Sequence, residues 1–286
     1  MKDFVIITDT GCDISPALLA EWKICSLDLT FRFTDEDKDY ANSDLPTKDF
    51  YQRMRDGGIA KTSAINTEAF AKAFEEYVKE GKEVLYLCFS SGLSSTCSSA
   101  VIASRQLKET YPDAKVTVVD TLAASAGQGM IVYLAAKKRD EGCSMEEIAK
   151  YVEEIRLNVC HWFTVDDLVY LKRGGRVSAA AAFFGGVLGI KPVLHVDNEG
   201  HLVAVSKVRG RKTALNALAT KMAETISDAT PVFISHADCE ADVEELKILI
   251  KNKTGKDVDL VTDIGAVIGS HSGPGTLALF FLGKER

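Results

Sequence analysis

The sequence predicts an α/β protein: two α/β domains that meet near residue 160 with a cleft between them. Three observations carry this. Short apolar runs of strand length alternate with stretches of helical periodicity along the whole chain. The length, 286 residues, suits two domains at roughly 150 residues each. The texture changes near residue 160, where alternation of strand and helix gives way to a strand, a basic turn and a hairpin. The expected division is therefore 1–160, carrying a serine-rich loop, and 161–286, carrying a histidine-containing glycine loop.

The elements follow in order. Residues 4–7 form a buried strand that ends in Thr8-Asp9-Thr10-Gly11. Ser15-Pro16 opens a helix, with serine as the cap and proline at the first helical position. Residues 34–44 carry five acids and read as an exposed turn or hairpin. Thr67 opens a helix whose Phe70, Phe74 and Val78 share a face, and Gly81 ends it. Residues 84–89 are continuously apolar, as a parallel strand buried on both faces requires. Residues 90–99 lead into another helix, 116–119 form a strand, and 123–140 form a long, mostly apolar helix. Ser144 with Glu147 makes a capping box. Beyond 160, a strand over 157–165 precedes a basic turn at 172–176. A hairpin over 194–208 turns at Asp197-Asn-Glu-Gly200. Helices over 213–226 and 238–252 alternate with strands at 231–235 and 258–261, and the chain closes with a glycine-rich loop and an apolar strand.

Composition removes several classes of function. Thirty-four basic against 41 acidic residues leave a net charge of −7, without the positive footprint that phosphate backbones require, so no nucleic-acid partner is expected. The first nine residues do not read as a signal peptide, because a charge falls at Asp3 and the apolar run stops at Thr8. The most apolar stretches, 179–190 and 277–282, are shorter than the ~20 residues of a membrane helix, so no stable membrane insertion is expected. Seven cysteines, scattered and without a CxxC pair, read as reduced thiols of a cytoplasmic protein. The five histidines do not recur at ligand spacing, so neither a metal site nor a cofactor is expected.

Three places concentrate polar chemistry. Phe89-Ser-Ser-Gly-Leu-Ser-Ser-Thr-Cys-Ser-Ser99 joins a buried strand to a helix start, where free N–H groups and serine hydroxyls suit an anion, carboxylate or phosphate. Thr62-Ser63 stands before the Thr67 helix and reads by itself as a turn or cap. Gly269-Ser-His-Ser-Gly-Pro-Gly275 suggests a constrained loop that holds His271 as a donor or an acid–base group. The basic clusters 172–176 and 207–212 do not form a Walker loop, and Gly127-x-Gly129 lacks the third glycine of a dinucleotide fingerprint. No GxSxG elbow is present. Asp9, Asp13 and Asp120 follow strands, where they suit catalysis or the capping of loop N–H groups.

Taken in order, several segments resemble the DegV family of bacterial lipid-binding proteins. They are Ile7-Thr-Asp-Thr10, Lys61-Thr-Ser63, Ser90-Ser-Gly-Leu-Ser-Ser-Thr96, Asp120 with Ser125 and Gly127-x-Gly129, and Tyr170-Leu-Lys-Arg-Gly-Gly-Arg176. Leu188-Gly-Ile-Lys-Pro192, Lys207-x-Arg209 and Gly269-Ser-His-Ser-Gly-Pro-Gly-Thr276 complete the set. Two positions depart from the family pattern: Ile65-Asn66 stand where a proline-serine pair is common, and Ser95 stands where glycine is common. The resemblance implies a long-chain fatty acid, such as palmitate, held between two α/β domains. It implies a non-catalytic carrier that presents the carboxylate to a separate fatty acid kinase for acyl-phosphate formation. On matching positions, Thr62 and Ser94 would bind the carboxylate and His271 would be a further donor. Ser63 would stand nearby, and Arg209 would support the head or the kinase contact. The 179–190 run, with Phe183, Phe184, Val187, Leu188 and Ile190, would wall the tunnel, together with Phe89, Leu93, Phe280 and Phe281.

Two other readings remain open on the residues alone. One is a phosphoryl-handling enzyme that uses the Ser94 loop and His271. The other is an interaction protein whose basic patches meet a partner.

Overall fold

The computed structural model describes residues 3–177, 189–227 and 231–286. Of the 179–190 run expected to wall a tunnel, residues up to 188, including Phe183, Phe184, Val187 and Leu188, lie outside the described residues. In chain order the first half runs β1 (Phe4–Asp9), a 3₁₀ turn at Thr10–Cys12, α1 (Pro16–Glu21), β2 (Cys25–Leu27), β3 (Thr30–Phe33) and β4 (Tyr40–Ala41). It continues with α2 (Thr47–Arg55), β5 (Ala60–Ser63), α3 (Thr67–Lys79), β6 (Glu83–Cys88), α4 (Thr96–Thr110), β7 (Val116–Asp120), α5 (Ala126–Asp140) and α6 (Met145–Ile155). The second half runs β8 (Val159–Thr164), α7 (Val169–Gly174), β9 (Ile190–Val196), β10 (Leu202–Arg209), α8 (Arg211–Thr225) and β11 (Val232–His236). It ends with α9 (Glu240–Thr254), β12 (Leu260–Asp263), α10 (Ala266–Ser272) and β13 (Leu277–Leu282).

These strands form three sheets among the described residues. The first is wholly parallel, in the order β2-β1-β6-β7. The second is mixed, in the order β10-β9-β8-β13-β11-β12, with β11 and β12 its parallel pair. The third is a small antiparallel sheet, β4-β3-β5. Every residue of β6 is buried, as its continuous apolar run predicts for the inside of a parallel sheet.

Helix α5 is the layer shared by the two large sheets. One hydrophobic cluster joins Ile6 and Leu87 of the first sheet, Met130 and Ile131 of α5, and Phe163 and Phe280 of the second. Ten residues of α5 are buried, so the helix is enclosed rather than amphipathic. This is why its sequence reads as mostly apolar. It also explains Gly127-x-Gly129. A Cβ at residue 127 would run into the His161 imidazole, and one at residue 129 would stand 2.5 Å from the Ile14 side chain. These glycines permit close packing of α5; they do not serve a dinucleotide.

Several elements differ from the sequence reading. Thr62-Ser63 is not a turn but the end of β5, paired with β3 at Phe31↔Thr62. The basic segment is in part a helix: Lys172 and Arg173 form the last turn of α7, and the left-handed Gly175 caps it. His271 does not stand in a loop; it lies in the last turn of α10, and the glycine loop begins at Gly273. Gly269 looks like loop punctuation in sequence. In the fold it is a helical residue, because any side chain there would meet the Tyr51 hydroxyl. The acid-rich 34–44 segment, by contrast, is as expected: it forms the β3–β4 hairpin, whose Asp37 and Asp39 hold Arg32.

Replacing Gly127 with alanine forces a methyl into the His161 ring. The expected cost is about 1–3 kcal/mol of stability, measured by urea unfolding; an unchanged midpoint would mean that α5 has slack at this contact.

Candidate functional site

A cavity of about 310 Å³ lies beyond the carboxyl ends of the first sheet, facing the second. That position is where open α/β sheets hold ligands. Its apolar wall includes Phe89 and Leu93 from the turn after β6, Phe163 and Phe280 from the second sheet, and Val267 and Ile268 from α10. Its polar lining includes Thr62, Ser63, Ser94, Ser95, Arg176 and His271. Four of the five residues named from sequence, Thr62, Ser63, Ser94 and His271, therefore line one cavity. Arg209 does not: it is exposed at the end of β10, paired with Ile190.

Each polar group is held by the surrounding fold. In the serine turn, the N–H groups of Leu93 and Ser94 both donate to the Ser90 carbonyl, at 3.1 and 3.2 Å. Ser94 Oγ accepts from the Thr96 N–H at 3.2 Å and lies 2.8 Å from Thr96 Oγ1. Ser90 Oγ donates to the Gly200 carbonyl at 2.9 Å, which ties the turn to the β9–β10 hairpin of the second sheet. Ser95 has φ −75° and ψ −1°, a right-handed conformation open to any residue, so the family's glycine is not needed there. Asn66 caps α3 by accepting from the Ala69 N–H at 2.8 Å, the task a serine would perform.

His271 depends on a helix of seven residues, too short to persist without tertiary support. Asp13 accepts from the Gly265 N–H at 2.9 Å, and Asn42 accepts from the Val267 N–H at 2.9 Å. The Tyr51 hydroxyl donates to the Ile264 carbonyl at 2.7 Å. At the other end, Thr276 Oγ1 donates to the Ser272 and Gly273 carbonyls. So held, His271 Nε2 stands 2.8 Å from Thr62 Oγ1. Burial, with the Arg176 charge adding to it, lowers the His271 pKa to about 4. The imidazole is therefore neutral at ordinary pH. With its proton on Nε2, the ring donates to Thr62 and leaves the threonine hydroxyl proton for a ligand.

Arg176 joins these parts. Its Nε donates to the Leu93 carbonyl at 3.4 Å and its Nη1 to the Gly174 carbonyl at 2.5 Å. Gly174 packs directly on the His271 ring. A second recess of about 290 Å³ shares Thr62, His271 and Arg176 with the first and adds Lys61 and Arg173. The Thr62–His271 pair thus contributes to both an apolar chamber and a cationic recess.

The strand-following aspartates act on the backbone. Asp9 is buried; its carboxylate accepts from the Gly11 and Phe89 N–H groups and from the Tyr86 hydroxyl. Asp120 accepts from the Ser91 and Leu122 N–H groups at 3.2 and 3.0 Å. Asp13 accepts from Ser125 Oγ at 2.5 Å, and Ser125 in turn lies 2.9 Å from Ser235 Oγ of the second sheet. Ser125 lines the cavity in a left-handed conformation, φ 54°. Its place in the chamber was not predicted as a site; only its recurrence in the ordered motifs singled it out.

The fold and cavity define an α/β protein whose two sheets enclose an apolar chamber lined in part by hydroxyls and a neutral imidazole. The chain belongs to the DegV family: the family's sequence profile, described as that of uncharacterised proteins, matches residues 3–284. A DegV domain-containing protein of Clostridium perfringens is 44% identical over 289 aligned positions, covering 100% of this chain and 99% of the relative. Among solved structures, a DegV family protein from Thermus thermophilus, described by its fatty acid binding, superposes with a TM-score of 0.87. It is 32% identical, with 99% of this chain and 100% of that one covered. A DegV lipid-binding protein from Thermotoga maritima gives a TM-score of 0.85 at 32% identity, with 99% of each chain covered.

Burial raises the Asp13 pKa from 3.8 to about 7, more than its bonds to Ser125 and Gly265 lower it, and Asp263 and Asp9 raise it further. The folded state thus binds this proton more tightly than the unfolded chain. The Asp13 contribution to stability is full below about pH 3.8 and is lost as pH rises to about 7. The loss is on the order of 4 kcal/mol. Asp13→Asn removes this slope from chemical unfolding curves taken across that window; an identical slope in the variant would refute the assignment.

Proposed function

We infer that this protein is a non-catalytic carrier that binds one long-chain fatty acid, such as palmitate, with its chain in the apolar chamber. The carboxylate meets Thr62, Ser94 and His271, with Ser63 beside them. The protein presents this head to a fatty acid kinase that forms the acyl phosphate for lipid metabolism. Residues 1–160 and 161–286 are the two lobes around the chain. The setting is the cytoplasm, where seven unpaired thiols stay reduced. No helix of the described residues is long and apolar enough to cross a membrane.

The observation that carries this reading is the pairing of an apolar chamber with donors that are almost all uncharged. About fourteen methylenes of palmitate, at ~0.8 kcal/mol each, give a gross driving force of ~11 kcal/mol on burial. Hydrogen bonds to a charged carboxylate add about 1.5–3 kcal/mol each at most. The chain sets affinity and the hydroxyls set orientation. The kinase step is supported by the recess beyond Thr62 and His271, where Lys61, Arg173 and Arg176 suit incoming phosphate charge. Arg209, exposed outside the chamber, belongs in this reading to the kinase contact rather than to the carboxylate.

Mass spectrometry of an organic extract of the purified protein is expected to find long-chain acids, and titration with palmitate to saturate at one per chain. Absence of both would overturn the proposal, and turnover of a phosphorylated small molecule with label on His271 would replace it with an enzyme. Thr62→Ala combined with Ser94→Ala is expected to lower palmitate affinity by about tenfold and kinase-dependent phosphorylation by far more. The reverse pattern would show that head and tail roles are exchanged. Arg209→Ala is expected to leave palmitate affinity unchanged while reducing phosphorylation by the kinase; a weaker palmitate titration would place Arg209 at the head instead.

A further inference from the structure

The sequence spacing of cysteines and histidines points to no metal, yet the fold brings two cysteines and a carboxylate together beneath the serine turn. Cys88 ends β6, Cys97 is the second residue of α4, and Asp120 ends β7. One sulfur from each cysteine and one Asp120 oxygen all lie within 4.8 Å of one another. Cys88 and Cys97 are buried, while Asp120 is half-buried and gives the group a side open to solvent. Both hydrogen bonds accepted by the Asp120 carboxylate fall on Oδ1, so Oδ2 has no hydrogen-bond partner among the described residues. Cys88 makes one long contact, 3.4 Å, to the Val119 carbonyl, and its thiol also faces that of Cys97. Burial and these neighbours hold its pKa well above the usual thiol range, so a bound cation is what would bring it to the thiolate.

We propose that Cys88, Cys97 and Asp120 bind a thiophilic divalent cation of the zinc class. Two thiolates, one carboxylate and a water molecule on the open side make a tetrahedral set of the kind such ions take. Tetrahedral bonds of about 2.3 Å to sulfur and about 2.0 Å to oxygen bring the donor atoms to within about 3.5–3.8 Å of one another, so side chains that now lie within 4.8 Å would close by up to about an ångström on binding. Binding forms two metal–sulfur bonds and one metal–oxygen bond and releases the two thiol protons to solvent. The bound centre has a net charge of −1, and the positive end of α4, which begins one residue before Cys97, lies where it offsets that charge. The two cysteines bracket residues 89–96, so the ion would clasp both ends of the turn that carries Ser94.

The test uses the lipid-free full chain under reducing conditions with cadmium, whose thiolate bonds absorb in the ultraviolet, and with zinc as competitor. Expected are one tight cadmium per chain, about two protons released, and displacement by zinc. Cys97→Ser is expected to abolish that band, and Asp120→Asn to weaken binding roughly tenfold or more, with circular dichroism confirming that both variants fold. No band in the native chain, or a band that persists in Cys97→Ser, would overturn the site. A band lost in Cys97→Ser but unaffected by Asp120→Asn would overturn the three-ligand assignment. These readouts are independent of lipid binding, so a failed palmitate titration leaves them intact.

Discussion

The fold depends on burying one helix from two sides. Over residues 126–136 helix α5 has almost no face for solvent, so each large sheet covers apolar surface that the other leaves exposed. Neither sheet can withdraw without uncovering Met130, Ile131 and their neighbours, at about 25 cal/mol for each Å² of apolar surface. Polar groups at the start of α5 are paired across the same boundary, with Gln128 Oε1 the buried exception. Gln128 donates to Thr8 Oγ1 at 3.0 Å, while Ser125 stands between Asp13 and Ser235. Left unpaired, each such group would cost about 1–3 kcal/mol. The chamber is what remains where α5 begins and the strands of the first sheet end.

That arrangement decides what could be read from the sequence. Period and punctuation revealed the strands and helices of the large sheets, since β6 and the Ser144 capping box are local patterns. The small sheet was only partly visible. β5 is four residues long with alternating half-buried and exposed positions, so Thr62 gave a turn signal while its strand identity came from pairing with β3. Helix α10 was hidden because Gly269 and Ser270 argue against a helix locally, and only contact with Tyr51 makes glycine the residue required there. The polar lining was legible as ordered motifs, but not as a single site. Nothing local places Thr62 within 2.8 Å of a histidine 209 residues away. Arg176 was legible as a charge, yet its task of joining the serine turn to α7 is a tertiary fact.

The chemistry of the head follows from what the chamber leaves out. A carboxylate taken out of water needs donors, and an unpaired one is costly to bury. An arginine fork would satisfy it strongly and hold both oxygens. Thr62 and Ser94 instead offer single, uncharged donors, while a neutral His271 spends its one N–H on Thr62 and orients that hydroxyl, and burial keeps the imidazole from becoming a cation. In the proposed role this weaker grip is an advantage. Electron density stays on the carboxylate oxygens, and affinity does not suffer because the acyl chain supplies most of it.

The same logic accounts for the placement of positive charge. A cation inside the apolar chamber would bind the carboxylate too firmly and would lose solvation whenever the chamber emptied. Lys61 and Arg173 instead line the recess beyond the Thr62–His271 pair, and Arg176 borders both spaces. In the proposed role, charge is thereby kept for the step in which more negative charge must arrive. For the proposed carrier such an arrangement separates holding from activation: hydroxyls face the chain side, Lys61 and Arg173 the outer side, and Arg176 reaches both, with one threonine–histidine contact between the two spaces.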